Sequence, residues 1–203
     1  MYDTIQERIA DYEKEILCKL VENALSTLAP MEREDCRGQE PPKLKNRQKA
    51  YAVKKHGEEP MREALYRISG VDLMAIDAIG VETVKVVISE YGPDLSRFPT
   101  EKQFVSHVTL APMVQELKAH YKPTSGGKAV KKKRGSASTH VAEALRMAAL
   151  SLRHSDTALG AYYRHIARRI AGDVAVFATA RKLATLIYWC KSGASGGAGL
   201  NNL

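Results

Sequence analysis

Apolar residues along this chain recur at spacings of three and four and almost nowhere alternate with a period of two, so the pattern is helical from end to end. In the first stretch Tyr2, Ile5, Ile9, Tyr12 and Ile16 step by 3, 4, 3 and 4, the seam of a coiled coil. After Ile16 the apolar positions Leu20, Ala24, Leu28 and Met31 step by 4, 4 and 3. The heptad therefore slips as it does at a stutter, and Pro30 is expected to kink or end the helix. An amphipathic helix packed on its own domain fits the same residues equally well.

A second organised unit starts at Met61. Two helical stretches flank the turn AIGVET, in which Gly80 permits a tight backbone and Thr83 is expected to start an apolar helix through Val84, Val87 and Ile88. This predicts a helix-hairpin-helix over residues 64–91. Such a hairpin presents backbone N–H groups at a helix N-terminus, which suits a DNA phosphate and carries no sequence information, so Gly80 is a candidate DNA contact. The usual pattern is hydrophobic-x-Gly-hydrophobic-Gly; here Ala78 replaces the first glycine, and Asp77 and Glu82 put negative charge beside the turn. A purely structural helical turn is the alternative.

Further on, Thr100 with Gln103 three positions later has the spacing of a capping box. From Ser138 the pattern is helical again, with Val141, Leu145, Ala148 and Leu152 on one face. Asp156 is expected to cap the next helix, which bears Leu159, Tyr162, Tyr163, Ile166 and Ile170, and Asp173 a third, VAVFATARKLATLIYWCK. The fold class is all-α: a long N-terminal coiled-coil-like helix, a helix-hairpin-helix unit and a C-terminal helical bundle with a basic Gly/Ser loop. The domains expected are a helical arm over 1–36, a basic linker over 37–60, a helical domain over 61–191 and a Gly-rich, disordered tail over 192–203.

Charge narrows the partners. Among 203 residues, 31 Lys and Arg outweigh 23 Asp and Glu, giving a net charge of +8, which favours a polyanion because each neutralised phosphate releases counterions. Nucleic acid is the first suspect. No apolar run approaches the roughly 20 residues of a membrane span. Cys18, Cys36 and Cys190 are odd in number and far apart, and the six histidines show no ligand spacing. Neither a disulfide framework nor a metal site is indicated, and with a polar N-terminus the expected location is the cytoplasm.

The positive charge concentrates at PTSGGKAVKKKRGS, residues 123–136. Lys122, Lys128, Lys131, Lys132, Lys133 and Arg134 follow one another there with no Asp or Glu between them. The segment fails as a Walker loop, which needs Gly at Lys122, Ser or Thr at Ala129 and a preceding strand. It fails as a hydrolase elbow, because Pro123 stands two before Ser125. What the residues do offer is a serine without bulky neighbours, approachable by a phosphodiester, amid cations suited to the added charge of an attacked phosphate. A mobile phosphate contact without chemistry is the simpler reading of such a loop.

Four segments taken in order, FPTEKQFVSHVTLAP, SGGK, THVAEALRMAALSLRHSDTALGAYYRHIARRI and ATARKLATLIY, are similar to the C-terminal half of the bridge-RNA-guided insertion-sequence transposases, also called DEDD transposases. The likeness spans residues 61–191, and residues 1–40 resemble the helical arm that precedes this region in the family. It implies that Ser125 is the nucleophile that attacks a DNA strand and holds it as a phosphoserine link, with Ser136 and Ser138 as competing hydroxyls. It also implies that Lys128, Lys131, Lys132, Lys133, Arg134 and the helix-borne Arg146 bind backbone phosphates, and that DNA and a guide RNA are partners. Arg181 and Lys182 are weaker candidates, since helix packing hides their stems.

Two departures accompany the likeness. Twelve residues separate Pro112 from Ser125, where the family's serine follows LAP within a few. The family's RuvC-like domain, whose three Asp and one Glu bind magnesium, is expected to be missing from a chain that starts at the arm. No cofactor is then expected in this chain, and magnesium only together with that domain. On this reading the chain is a transposase part, inactive alone, that joins a homo-oligomer or a full-length transposase through its arm. The alternative is a non-catalytic nucleic-acid-binding remnant that dimerises or modulates a full-length transposase.

Overall fold

The computed structural model describes residues 40–108, 110 and 139–194, the backbone of two residue pairs at 124–125 and 128–129, and eleven scattered helical residues between Thr4 and Glu22. Among the described residues, helices make up the body: α1 (Arg47–Lys55), α2 (Glu59–Ser69), α3 (Val81–Tyr91), α4 (Glu101–His107), α5 (His140–Ser151), α6 (Ala158–Arg169) and α7 (Gly172–Ala194). Single 3-10 turns, Leu73–Ala75 and Leu152–His154, precede α3 and follow α5. The two residue pairs form a minimal hairpin, β1 (Thr124–Ser125) against β2 (Lys128–Ala129). The all-α class read from periodicity is what the chain adopts.

Local chemistry sets the helix limits. Asn46 accepts from the N–H groups of Gln48 and Lys49 at 3.1 and 3.2 Å to start α1. Helix α2 carries Pro60 in its first turn, where a missing N–H does no harm, and stops at Gly70, whose φ of 69° supplies the left-handed C-cap. Thr100 caps α4 as its spacing predicts, accepting from the Gln103 N–H at 3.4 Å.

Elsewhere the limits differ from those expected. Asp156 does not cap α6; Thr157 does, accepting from the Gly160 N–H at 3.3 Å. The reason lies at Gly160: a Cβ there would come within 2.2 Å of the Ser155 carbonyl oxygen, so α6 starts where it presses on the turn from α5. Asp173 lies inside the first turn of α7, which begins at Gly172, and there complements the helix dipole. Helix α3 starts at Val81, two residues before Thr83, which is buried. Ser192, Gly193 and Ala194, read as tail, complete the last turn of α7, and residues 195–203 lie outside the described ones. Within the basic linker of 37–60, for which some helix over residues 43–56 is the reading, α1 forms and docks through Val53, 4 % exposed.

One apolar core joins these elements. Val84, Val87 and Ile88 of α3, Phe104 and Val105 of α4, Val141 and Leu145 of α5, and Leu183 and Ile187 of α7 are all buried in it. Ala142, Ala149, Ala180 and Ala184 are fully buried as well, and such small side chains let α5 and α7 approach closely. Burying each large side chain stabilises the fold by roughly 1.5–3 kcal/mol. Tyr91, Phe98 and Phe104 meet edge to face, with centroids 5.3 to 5.9 Å apart, and Tyr188 of α7 donates to the Phe98 carbonyl at 2.8 Å. Arg62 of α2 pairs with buried Asp72 at 2.5 Å and also donates to the Pro42 carbonyl, tying the N-terminal segment to the turn before α3.

Candidate nucleic-acid interface

The turn before α3 has the geometry of a hairpin despite its altered sequence. Ala78 stands where a glycine is usual and takes the left-handed conformation itself, with φ of 66°. Gly80 is the N-cap of α3 with an ordinary φ of −92°, and nothing lies within 4 Å of where its Cβ would be. Its lack of a side chain is therefore not required by the fold and leaves the N-terminus of α3 open to a ligand. Both acids beside the turn are engaged. Asp77 accepts from the Asn46 side-chain amide at 3.4 Å, and Glu82 pairs with Lys85 at 2.5 Å.

Basic helix α1 is fastened against this turn. Lys49 donates to the carbonyls of Met74 and Ile76 at 2.5 and 2.7 Å, and its ammonium group is pushed down to about 8, chiefly by burial, with Asp77 and Asp72 opposing the shift. Lys43, Lys45 and Arg47, around the Asn46 cap, are exposed. Sequence composition shows these cations but not that one lysine is spent on holding the turn.

The described residues on either side of the basic segment meet in a single neck. Thr139 donates from its hydroxyl to the Val108 carbonyl at 3.2 Å and accepts from the Ala142 N–H at 3.1 Å, so one side chain caps α5 and fastens its start to the end of α4. Glu90, at the end of α3, accepts from the Val141 N–H at 3.0 Å. Tyr91 reaches the same place: its hydroxyl bonds the Thr139 side chain and lies 3.5 Å from Nδ1 of His107. Burial raises the Tyr91 hydroxyl above its ordinary pKa, and the bond to Thr139 offsets part of that. These four neck residues carry no motif; only the capping preference of Thr139 is visible in the sequence.

Within this segment the hairpin register sets Ser125 opposite Lys128. Lys131, Lys132, Lys133, Arg134, Ser136 and Ser138 lie outside the described residues. Arg146 is half-buried on α5, with its guanidinium 5.4 Å from the Phe177 ring centroid of α7. Lys182 similarly overlies Trp189 at 5.7 Å, and Arg181 is half-buried. Ser125 and Lys128 are thus brought together, whereas Gly80 caps the opposite end of α3 from Glu90, about 15 Å along the helix axis from the neck.

Among the described residues, no group of three or more His, Cys, Asp or Glu side chains gathers in a way that holds a metal ion. No helix among them is long and apolar enough to cross a membrane. Residues 71–164, from the turn before α3 to the middle of α6, match the family model described as Transposase IS116/IS110/IS902 family. No curated protein and no solved structure matches the chain.

Proposed function

Residues 71–164 being a domain of that transposase family, we propose that the chain is the DNA-binding, serine-bearing part of an insertion-sequence transposase. Ser125 is the nucleophile. Its hydroxyl loses a proton and attacks a DNA phosphorus; the P–O bond to the departing strand breaks, that strand leaves as a hydroxyl, and the other is held as a phosphoserine ester. Lys128, Lys131, Lys132, Lys133 and Arg134 stabilise the charge of the attacked phosphate and grip the backbone, with Arg146 and the open turn at Gly80 as further phosphate contacts. One observation carries this reading: the family match encloses a hairpin in which Ser125 is paired with Lys128 across two glycines.

Magnesium-assisted DNA chemistry needs an acidic cluster, and the step proposed here for Ser125 is written without one. In this reading that chemistry is the work of a RuvC-like domain acting together with this region, along with a guide RNA bound jointly. The test is incubation of the purified chain, with and without a relative's acidic domain and guide RNA, with end-labelled transposon-junction DNA. A protease-sensitive covalent adduct absent from Ser125→Ala supports the assignment. An adduct that persists in Ser125→Ala but is lost in Ser136→Ala or Ser138→Ala moves the nucleophile.

A second reading is favoured by the arm. Ile5, Tyr12 and Ile16 are helical and 53, 62 and 47 % exposed, an apolar seam without cover among the described residues. On that reading the seam pairs with a second copy or with the arm of a full-length transposase, and the chain modulates transposition without cutting DNA. Salt-sensitive DNA binding with no adduct under either condition selects it.

A further inference from the structure

The structure carries a second cationic site, away from the basic loop. The turn Leu152–His154 and helix α6 enclose an open depression of about 320 Å³ lined by Arg153, His154, Tyr163, Arg164, Ala167 and Arg168. Arg164 and Arg168 are four residues apart and so share one face of α6, about 6 Å apart along its axis. Arg153 forms the facing wall from the end of α5. Arg164 is fixed in place: it donates to the Ser155 carbonyl at 2.5 Å and to the Arg153 carbonyl at 3.4 Å. Close contact at Gly160 sets the spacing between the two walls, because α6 cannot slide on the turn without the helix backbone striking the Ser155 carbonyl.

None of these cations is neutralised within the body. Among the described residues no carboxylate forms an ion pair with Arg153, Arg164 or Arg168, and the acids nearest in sequence, Asp156 and Asp173, are both exposed. Three arginines lining an open depression beside Tyr163 and Ala167 suit a chain of phosphates passing through better than an enclosed small anion. The site also has a fixed relation to the neck. Helix α5 runs twelve residues from the Thr139 cap to this turn, so the depression stands about 18 Å from the base of the serine loop.

We infer that this depression binds the sugar–phosphate backbone of DNA, clamping the duplex at the far end of α5 from the Thr139 neck through Arg153, Arg164 and Arg168. The inference rests on the reading of the chain as a DNA-binding protein but not on Ser125 being a nucleophile. The experiment is the salt dependence of binding to a duplex of arbitrary sequence, for the wild-type chain, the double variant Arg153→Ala/Arg168→Ala, the reversal Arg168→Glu, and a loop variant with Lys131, Lys132 and Lys133 all replaced by Ala. The double variant keeps its melting temperature, and its slope of log K against log salt becomes shallower by about 2, near 0.9 for each phosphate released. The reversal weakens binding further at low salt.

An unchanged slope in the double variant, with binding lost in the loop variant, overturns the inference and leaves the loop reading intact. Absence of duplex binding by the wild-type chain overturns both. Displacement of the duplex by inorganic phosphate, but not by chloride at matched ionic strength, shows a discrete small-anion pocket and likewise overturns the backbone reading.

Discussion

Ser125 and Lys128 face each other as partners in a two-residue antiparallel ladder, separated along the chain only by Gly126 and Gly127. A hairpin this short has little to hold it beyond the turn, and two glycines are the residues that reach the left-handed dihedrals of a primed turn without strain. Replacing both with Ala is expected to abolish adduct formation while the melting temperature of the body stays unchanged, read by gel assay and by circular dichroism. Lys128→Ala alone is expected to leave the fold intact and lower the salt slope of DNA binding by about 1. Loss of body stability in either variant would show that the hairpin is part of the core instead of an appendage.

Ala78 and Gly80 have exchanged the roles their types suggest. Ala78→Gly is expected to be neutral or to stabilise by up to about 1 kcal/mol, since a left-handed conformation costs a non-glycine residue roughly 1–2 kcal/mol. Gly70→Ala, at a φ of 69°, is expected to destabilise by about 1 kcal/mol in the same urea titration. Gly80→Ala is expected to leave stability unchanged, because nothing stands near its added methyl, and to weaken DNA binding if phosphate approaches α3 there. Unaltered binding in Gly80→Ala would make the turn purely structural.

Gly160→Ala puts a methyl against backbone that has no room to yield. The added carbon lies 2.2 Å from the Ser155 carbonyl oxygen and 2.9 Å from that of Leu152. The expected destabilisation is about 1–3 kcal/mol or more, the range for overpacking, read from the thermal midpoint. Full-strength DNA binding alongside that loss would separate the α5–α6 contact from the cationic depression beside it.

Stability is expected to rise with pH from about 8 to 10. Lys49 and Lys191 are each pushed down to about 8 in the folded chain, chiefly by burial, against 10.5 for an unhindered lysine. Between those values the unfolded chain binds more protons than the folded one, so raising pH favours folding. Tyr91 acts the other way above about 10, since its hydroxyl is raised on folding. Lys49→Met should flatten the rise seen in urea titrations across this window; an unchanged slope would mean that the burial of Lys49 does not persist in solution.

Thr139→Ala removes a helix cap and the closure of the loop in one step. A cap loss of about 1 kcal/mol is expected from the α5 N-terminus alone. Thr139→Ser retains the oxygen and is expected to restore both the stability and any adduct yield. Rescue by Ser distinguishes the hydroxyl's bonds from the packing of the methyl group.

The helices were legible because their apolar faces recur at helical spacing: Val141, Leu145 and Ala148 were on one face in the sequence and are buried in the structure. Helix starts were less so. In the run HSDT three consecutive residues are able to cap, and the choice of Thr157 follows from where Gly160 meets the Ser155 carbonyl, a contact between elements that periodicity does not report. The basic linker of 37–60 was legible as holding some helix over residues 43–56, but not how it docks: through one valine, a lysine bonded to two carbonyls and the Pro42 carbonyl, which accepts from Arg62. The neck was invisible because Glu90, Tyr91, His107 and Thr139 are spread over 50 positions of chain and share no spacing.

The bond between Thr139 and Val108 holds the residues on either side of the basic segment against each other, so a change in the length of that segment is a change between held ends. Doubling the length of a segment between fixed ends costs only about 0.6 kcal/mol in closure entropy. By that measure alone, twelve residues between Pro112 and Ser125 in place of a few cost the packing of α3, α5 and α7 little. The chemistry at the tip and the stability of the scaffold are independently variable, much as a tool is changed without altering the handle.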